Sequence, residues 1–174
     1  HLLSPMDEEV AAALKQQLTE KGITVYCNSV VEEITEGDGL NCHIRNLETG
    51  ESHTTKATQV VSAVGRVPYT DGLLGADISL KMENGRIWVN EDFETSEPGI
   101  YAIGDVVAST QLAHVAMAQA TYVVENIAGQ PHSIRLKAVP SGMYVSLPIV
   151  PNCIYTEPEI ATVGITEQKA KELG

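Results

Sequence analysis

The chain has little that would let it grip an anion. It carries 11 Lys plus Arg against 23 Asp plus Glu, a formal net charge of -12. A nucleic-acid binder needs a basic face to displace counterions from phosphates, so that role is excluded, as is docking on an anionic membrane surface. No apolar run approaches the ~20 residues that span a bilayer, and no signal-peptide pattern opens the chain. Aromatics are scarce: one Trp, one Phe and six Tyr. A core must therefore be aliphatic, and with 43% hydrophobic residues it is affordable.

Cysteine is scarce too. Cys27, Cys42 and Cys153 are odd in number and none forms a C-x-x-C pair. This argues against a disulfide scaffold and for a reducing, cytoplasmic compartment. His1, His43, His53, His114 and His132 show no ligand spacing, so no metal site is expected. The first residue is His rather than Met and leads straight into a helix start. Residues preceding His1 are therefore expected in the natural protein.

What is present reads as α/β. Ser4 can cap a helix, Pro5 suits its first turn and Asp7 stands at the capping-box position. An apolar stripe through Val10, Leu14 and Leu18 follows, and Gly22 ends the helix. Residues 23–27, short and β-branched, predict a buried parallel strand. Strands over 29–35, 40–47 and 51–58 are joined by Gly37-Asp38-Gly39 and Glu48-Thr49-Gly50-Glu51, which is the turn chemistry of an antiparallel meander. Residues 59–65 predict another buried strand ending in Gly. Helix, strand, meander, strand is the order of the second half of a doubly wound, Rossmann-like nucleotide-binding domain.

Beyond Pro68 the elements shorten. Residues 86–89 and 100–103 predict short strands, and a turn at Ser96-Glu97-Pro98-Gly99 separates them. A long Ala-rich helix is expected from about Leu112 to Ala128, closed by Gly129. Val139-Pro140-Ser141-Gly142-Met143-Tyr144 and Val150-Pro151-Asn152-Cys153-Ile154-Tyr155 are near-repeats. A strand over 160–164 and a helix opened by Thr166 and Glu167 complete the chain.

The sharpest chemistry lies at Thr95-Ser96-Glu97-Pro98-Gly99-Ile100-Tyr101-Ala102-Ile103-Gly104-Asp105. A strand delivers a Gly and then an Asp at its carboxyl end, where open α/β sheets bind ligands. Gly104 lets a ligand approach the backbone. The carboxylate of Asp105 can accept a hydrogen bond from a sugar or polyol hydroxyl. Taken alone, an Asp in this setting is more often a turn or cap residue.

This segment resembles the second flavin-binding motif of the pyridine nucleotide-disulfide oxidoreductases, T-x-x-P-x-I-[YF]-A-[IV]-G-D. The resemblance implies that Gly104 and Asp105 meet the ribityl chain of FAD. Gln111-Leu112-Ala113-His114 resembles the L-A-H segment of the lipoamide (dihydrolipoamide) dehydrogenases, whose backbone faces the flavin pyrimidine. A helix N-terminus there suits the negative charge on reduced flavin. Val61-Ser62-Ala63-Val64-Gly65-Arg66-Val67-Pro68 resembles the A-x-G-R-x-P crossing of the same family. It implies that Ala63, Val64, Gly65 and Arg66 lie near NAD, and Val30 matches a strand position that also touches NAD. Residues 150–164 resemble the opening strands of the family's dimer-interface domain, and residues 166–174 its first helix.

The three motifs run in the family's order over nearly the whole chain. The expected organisation is the C-terminal half of an NAD-binding domain at 1–66, the C-terminal part of an FAD-binding domain at 67–138, and the beginning of an α+β dimerisation domain at 139–174. The implied parent reaction is oxidation of dihydrolipoamide by NAD through FAD and a redox disulfide, in a homodimer serving a lipoyl-bearing protein of a multienzyme complex. The Gly-rich dinucleotide fingerprints, the C-x4-C redox pair and the C-terminal His-Glu pair are absent from this chain. It is therefore expected to be an internal segment, catalytically inert, with no catalytic residue of its own and neither FAD nor NAD held tightly. Residues 139–149 read as an insertion, in which one copy of the near-repeat could substitute for the other. Alternatives are a segment of a glutathione- or mercuric-reductase relative, a free-standing nucleotide-binding module, or a non-catalytic association domain.

Overall fold

The structure is a computed structural model and describes residues 2–3, 6–75, 77–107, 111–133 and 150–173. It divides into two compact units, His1–Val64 with Cys153–Gly174, and Gly65–Asn152.

In the first unit, helix α1 spans Glu8–Glu20. Ala11 and Leu14 are its buried face, flanked by half-buried Val10 and Leu18, so the expected stripe faces inward. The helix begins later than the capping pattern implied. Asp7, not Ser4, is the N-cap, and its side chain caps nothing within α1. Its carboxylate instead accepts the Glu167 amide at 2.6 Å. Ser4 and Pro5 lie outside the described residues. The C-terminus is a Schellman motif. Ile23 N–H donates to Leu18 O and Gly22 N–H to Thr19 O, with Gly22 at φ 82°.

The meander forms as expected, as an antiparallel sheet ordered β1 (Ser29–Gly37), β2 (Gly39–Asn46), β3 (Ser52–Ala57). Gly37 pairs with Gly39 around Asp38. The second turn is held by Asn46 Oδ1, which accepts the amides of Glu48 and Thr49. A bulge between Val31 and Glu33 breaks the β1 register.

Two expected strands are not ladders. Residues 23–27 and 59–65 carry no strand pairing, and Ile23, Tyr26, Val61 and Val64 are exposed. A parallel strand exists only where a neighbour satisfies its amides and carbonyls, and no described strand lies beside these two. Their β-branched composition does not by itself make a sheet.

Residues 152–162 form the two-stranded sheet β6 (Asn152–Ile154) and β7 (Ile160–Thr162), followed by the helix Glu167–Leu173, here α3. Thr166 Oγ1 accepts the Lys169 amide, the N-cap expected of it. Lys21 Nζ pairs with Glu157 Oε2 at 3.2 Å. The repeat at 139–149 lies outside the described residues.

The second unit is built on a helix and short irregular strands. The hairpin β4 (Met82–Glu83) and β5 (Arg86–Ile87) turns through Asn84 and Gly85, both at positive φ. The expected strand 100–103 is reduced to one bridge, Glu94↔Tyr101. Beyond that bridge the chain stays extended to Ile103 and then enters a 3-10 turn, Gly104–Val106. Helix α2 (Ala113–Ile127) matches expectation, and Gly129 at φ 64° closes it with a second Schellman pair. Its buried face is Val115, Gln119, Tyr122 and Val123, and Tyr122 and Val123 pack with Ile87, Val89, Phe93 and Val107 to form the core.

Tyr122 is a phenol buried in this core. Its hydroxyl donates to Asp92 Oδ1 at 3.2 Å, and its ring stacks on His132 at 3.9 Å. Burial pushes its pKa above the ordinary 10.0, and the hydrogen bond to Asp92 and the charges of Asp92 and Glu91 act the same way. With the folded value raised, the stability this group contributes is complete below about pH 10 and is lost as pH rises through the folded value. Phenolate absorbance during an alkaline titration should show one tyrosine ionising after the rest, together with loss of helix. Tyr122→Phe should remove that late step, and a titration curve unaltered in shape by the substitution would refute the assignment.

Candidate functional site

Gly104 and Asp105 form the start of the 3-10 turn that packs on α2. Three groups clamp this dipeptide. Gln119 Oε1 accepts the Gly104 amide at 2.6 Å. Arg86 Nη1 donates to the Asp105 carbonyl at 2.7 Å. Arg66 Nη2 pairs with Asp105 Oδ2 at 3.3 Å. Gly104 adopts φ 73°, and a Cβ there would sit 3.2 Å from Ala116 Cβ. Glycine is thus required by the left-handed backbone and by the closeness of α2, not by open space in front of it.

The Asp105 carboxylate caps no amide among the described residues. Asp105 itself belongs to the 3-10 turn Gly104–Val106. Its side chain, 37% exposed, is an accessible acceptor on a clamped backbone, suited to a polyol hydroxyl.

The other flavin-motif residues surround the start of α2. Leu112 is its N-cap, with extended backbone and no side-chain cap, and Gln111 precedes it half-buried. Ala113 and His114 are the first two helical residues, both exposed. The first amides with a partner are Val115 and Ala116, both bonded to Leu112 O, so those of Ala113 and His114 remain open donors among the described residues. Open amides at the positive end of a 15-residue helix suit a carbonyl or anionic acceptor.

Of the residues expected at NAD, Val30, Ala63 and Val64 belong to the first unit and Gly65 and Arg66 to the second. Val30 lies in β1 opposite Arg45, half-exposed. Ala63 and Val64 lie on irregular, exposed backbone, with Val64 96% accessible. A cavity of about 350 Å³ runs along Val31–Ile34 and Val60, Val61, Ser62 and Val64, so Val64 alone of the expected set lines it. Gly65 adopts φ 128°. Arg66 meets Asp105, a residue of the expected flavin motif. No group of three or more His, Cys, Asp or Glu side chains able to hold a metal occurs among the described residues.

Sequence reasoning missed Gln119 and Arg86. Gln119 carried a signal, being a polar residue at the i+4 position of a face otherwise made of Val115, Tyr122 and Val123. It is fully buried, and its Nε2 has no partner among the described residues. A buried amide is kept only where at least one of its atoms is needed, and here Oε1 holds Gly104. Arg86 carried no signal, because only the hairpin turn brings it to Asp105.

The family model described as pyridine nucleotide-disulphide oxidoreductase matches residues 1–120, and that of the dimerisation domain matches residues 150–174. Dihydrolipoyl dehydrogenase of Geobacillus stearothermophilus is 37% identical over 99% of this chain and 34% of its own length. The mitochondrial dihydrolipoyl dehydrogenase of Caenorhabditis elegans is 33% identical over 97% of this chain and 32% of its own. The chain thus spans about a third of the length of these relatives. Among solved structures, the HOCl-induced flavoprotein disulfide reductase RclA of Escherichia coli superposes with a TM-score of 0.80 at 21% identity, over 99% of this chain and 37% of that one. That likeness establishes the shared mixed α/β fold, and with the family model covering more than half of the sequence, this chain belongs to the pyridine nucleotide-disulphide oxidoreductase family.

Proposed function

We propose that the chain is the cofactor-holding middle of a dihydrolipoamide dehydrogenase, a homodimer that oxidises dihydrolipoamide with NAD in the service of a lipoyl-bearing multienzyme complex. Residues 1–66 would contribute to the NAD domain, 67–138 to the FAD domain and 139–174 to the dimer interface. The observation that carries the flavin part is Asp105, a carboxylate on a clamped backbone that caps no amide among the described residues and stands at the carboxyl end of an extended segment. Relatives named dihydrolipoyl dehydrogenase along 97–99% of the chain support the choice of substrate.

The residues present fit one side of a flavin. Asp105 offers oxygen to ribityl hydroxyls. The open amides of Ala113 and His114 offer hydrogen to the pyrimidine edge, and the positive end of α2 favours a negatively charged ring. Bound FAD would supply the electron transfer between a dithiol and NAD. Ala63, Val64, Gly65, Arg66 and Val30 would line part of the NAD path.

The chain alone would not turn over. Cys27 is half-buried, Cys42 buried and Cys153 exposed, all as free thiols, so no dithiol pair receives electrons. No described helix is long and apolar enough to cross a membrane. The net charge of -12 argues against nucleic acid as partner, and the free thiols fit a reducing, cytoplasmic setting.

The test is a visible absorption spectrum of the purified chain, with and without excess FAD. A reversible flavin shift is expected, lost on desalting. Replacing Asp105 with Ala should weaken it by at least about tenfold, since a hydrogen bond to a charged group is worth ~1.5–3 kcal/mol. Identical spectra for the two proteins would remove the flavin site from this segment.

A further inference from the structure

We propose that Arg66 is a positioning residue for the flavin carboxylate: it fixes Asp105 Oδ2 so that Oδ1 is presented to a ribityl hydroxyl. This rests on the flavin reading above and adds a role that the NAD-crossing motif does not give to Arg66.

The geometry separates a positioning role from a structural one. The Gly104–Asp105 backbone is already fixed without Arg66, by Gln119 on the Gly104 amide and by Arg86 on the Asp105 carbonyl. The side-chain torsions of Asp105 are the freedom left over. Arg66 is the group that meets the carboxylate, through one nitrogen and one oxygen, Nη2 to Oδ2 at 3.3 Å. A single contact leaves the second oxygen with its lone pairs, and among the described residues nothing donates to it.

Magnitude points the same way. The Arg66 side chain is 76% exposed and that of Asp105 37%. An exposed pair of this kind is worth at most ~1 kcal/mol, too little to matter to the fold. The same interaction, spent on holding one rotamer of a ligand-binding carboxylate, changes affinity several-fold. It removes in advance the rotamer freedom that ligand binding would otherwise have to remove. Arg66 also sits directly after Gly65 on the crossing expected to meet NAD. The positioning group for one cofactor is therefore carried on the segment expected to touch the other.

Riboflavin is the probe, because it has the ribityl chain and no phosphate. Salt then acts on the protein's ion pair and not on a charge of the ligand. Riboflavin fluorescence quenching by the full 174-residue chain would be followed from low to high salt for wild type, Arg66→Gln, Arg66→Lys and Asp105→Ala. At low salt Arg66→Gln should bind ~3- to 5-fold more weakly than wild type. Wild-type affinity should fall toward that of Arg66→Gln as salt rises, while Arg66→Gln stays flat. Arg66→Lys should recover part of the loss and keep part of the salt slope, since a point charge can pair without the guanidinium fork. A merely structural Arg66 would alter thermal stability but give wild type no salt slope of its own. If Arg66→Gln binds as well as wild type at every salt, or better, the positioning role is overturned while the Asp105 site stands. If wild type and Asp105→Ala behave alike, or neither binds, the flavin reading falls and the proposal with it.

Discussion

An alanine at position 93 should cost the second unit most of its stability, on the order of 3–5 kcal/mol. Phe93 is the chain's one phenylalanine and is 1% exposed. Its ring meets Tyr122 edge-on at 5.8 Å and packs with Ile87, Val89, Val107 and Val123. Its backbone is unusual as well. Phe93 sits at φ 64°, with its amide bonded to Asn90 O and its carbonyl accepting the Ala102 amide. A bulky residue in the left-handed region is strained by ~1–3 kcal/mol and persists only where its surroundings hold it. The inward-facing ring is what holds it here. Alanine would lose the ring and keep the strain. Glycine would lose one carbon more but release the strain, so it should be no worse than alanine. Urea unfolding followed through Trp88, which lies between Ile87 and Val89, reads this unit directly. An unchanged midpoint in Phe93→Ala, or a glycine variant clearly less stable than alanine, would show that the ring does not hold this turn.

Local signals in the sequence located what local physics controls. Gly22 and Gly129 mark two Schellman ends, Gly50 a hairpin turn, Thr166 a helix start, and each stands where its chemistry required. The meander was legible because its three strands are neighbours in sequence and pair with one another. Residues 23–27 and 59–65 have equally good strand composition and make no ladder. Composition reports what a segment can do, whereas pairing depends on which segments surround it. The site divides in the same way. Gly104, Asp105 and the start of α2 were visible as a motif, because one short stretch carries them. The clamp was not. Gln119, Arg86 and Arg66 reach Gly104 and Asp105 from 15, 19 and 39 positions away in the chain. Only the fold determines that these side chains converge, and Arg66 carried a different expected role until the structure placed it beside Asp105.

Gly104→Ala should destabilise the same unit by about 1–3 kcal/mol and distort the flavin segment with it. Two causes add. The first is the backbone, since φ 73° is a conformation in which a Cβ crowds the neighbouring carbonyl. The second is α2, whose Ala116 Cβ would lie 3.2 Å from the new methyl, closer than carbon–carbon contacts settle. The two are separable. Ala116→Gly removes the second and leaves the first, while itself costing ~1 kcal/mol of helix propensity. The double variant should therefore be more stable than the sum of the two single changes predicts, with coupling of ~0.5–1 kcal/mol in the favourable direction. Strict additivity would mean that α2 yields freely and that backbone strain alone makes glycine necessary. The consequence for binding differs from that for stability. Moving Gly104 away from α2 lengthens the 2.6 Å bond to Gln119, the one bond this buried amide makes among the described residues. Asp105 follows, because it is the next residue on the same 3-10 turn. Gly104→Ala should therefore weaken FAD binding even at temperatures where the chain remains folded, and Ala116→Gly in the same chain should restore part of it. An unaltered FAD affinity in Gly104→Ala would show that the clamp on Gly104 does not set the position of the carboxylate.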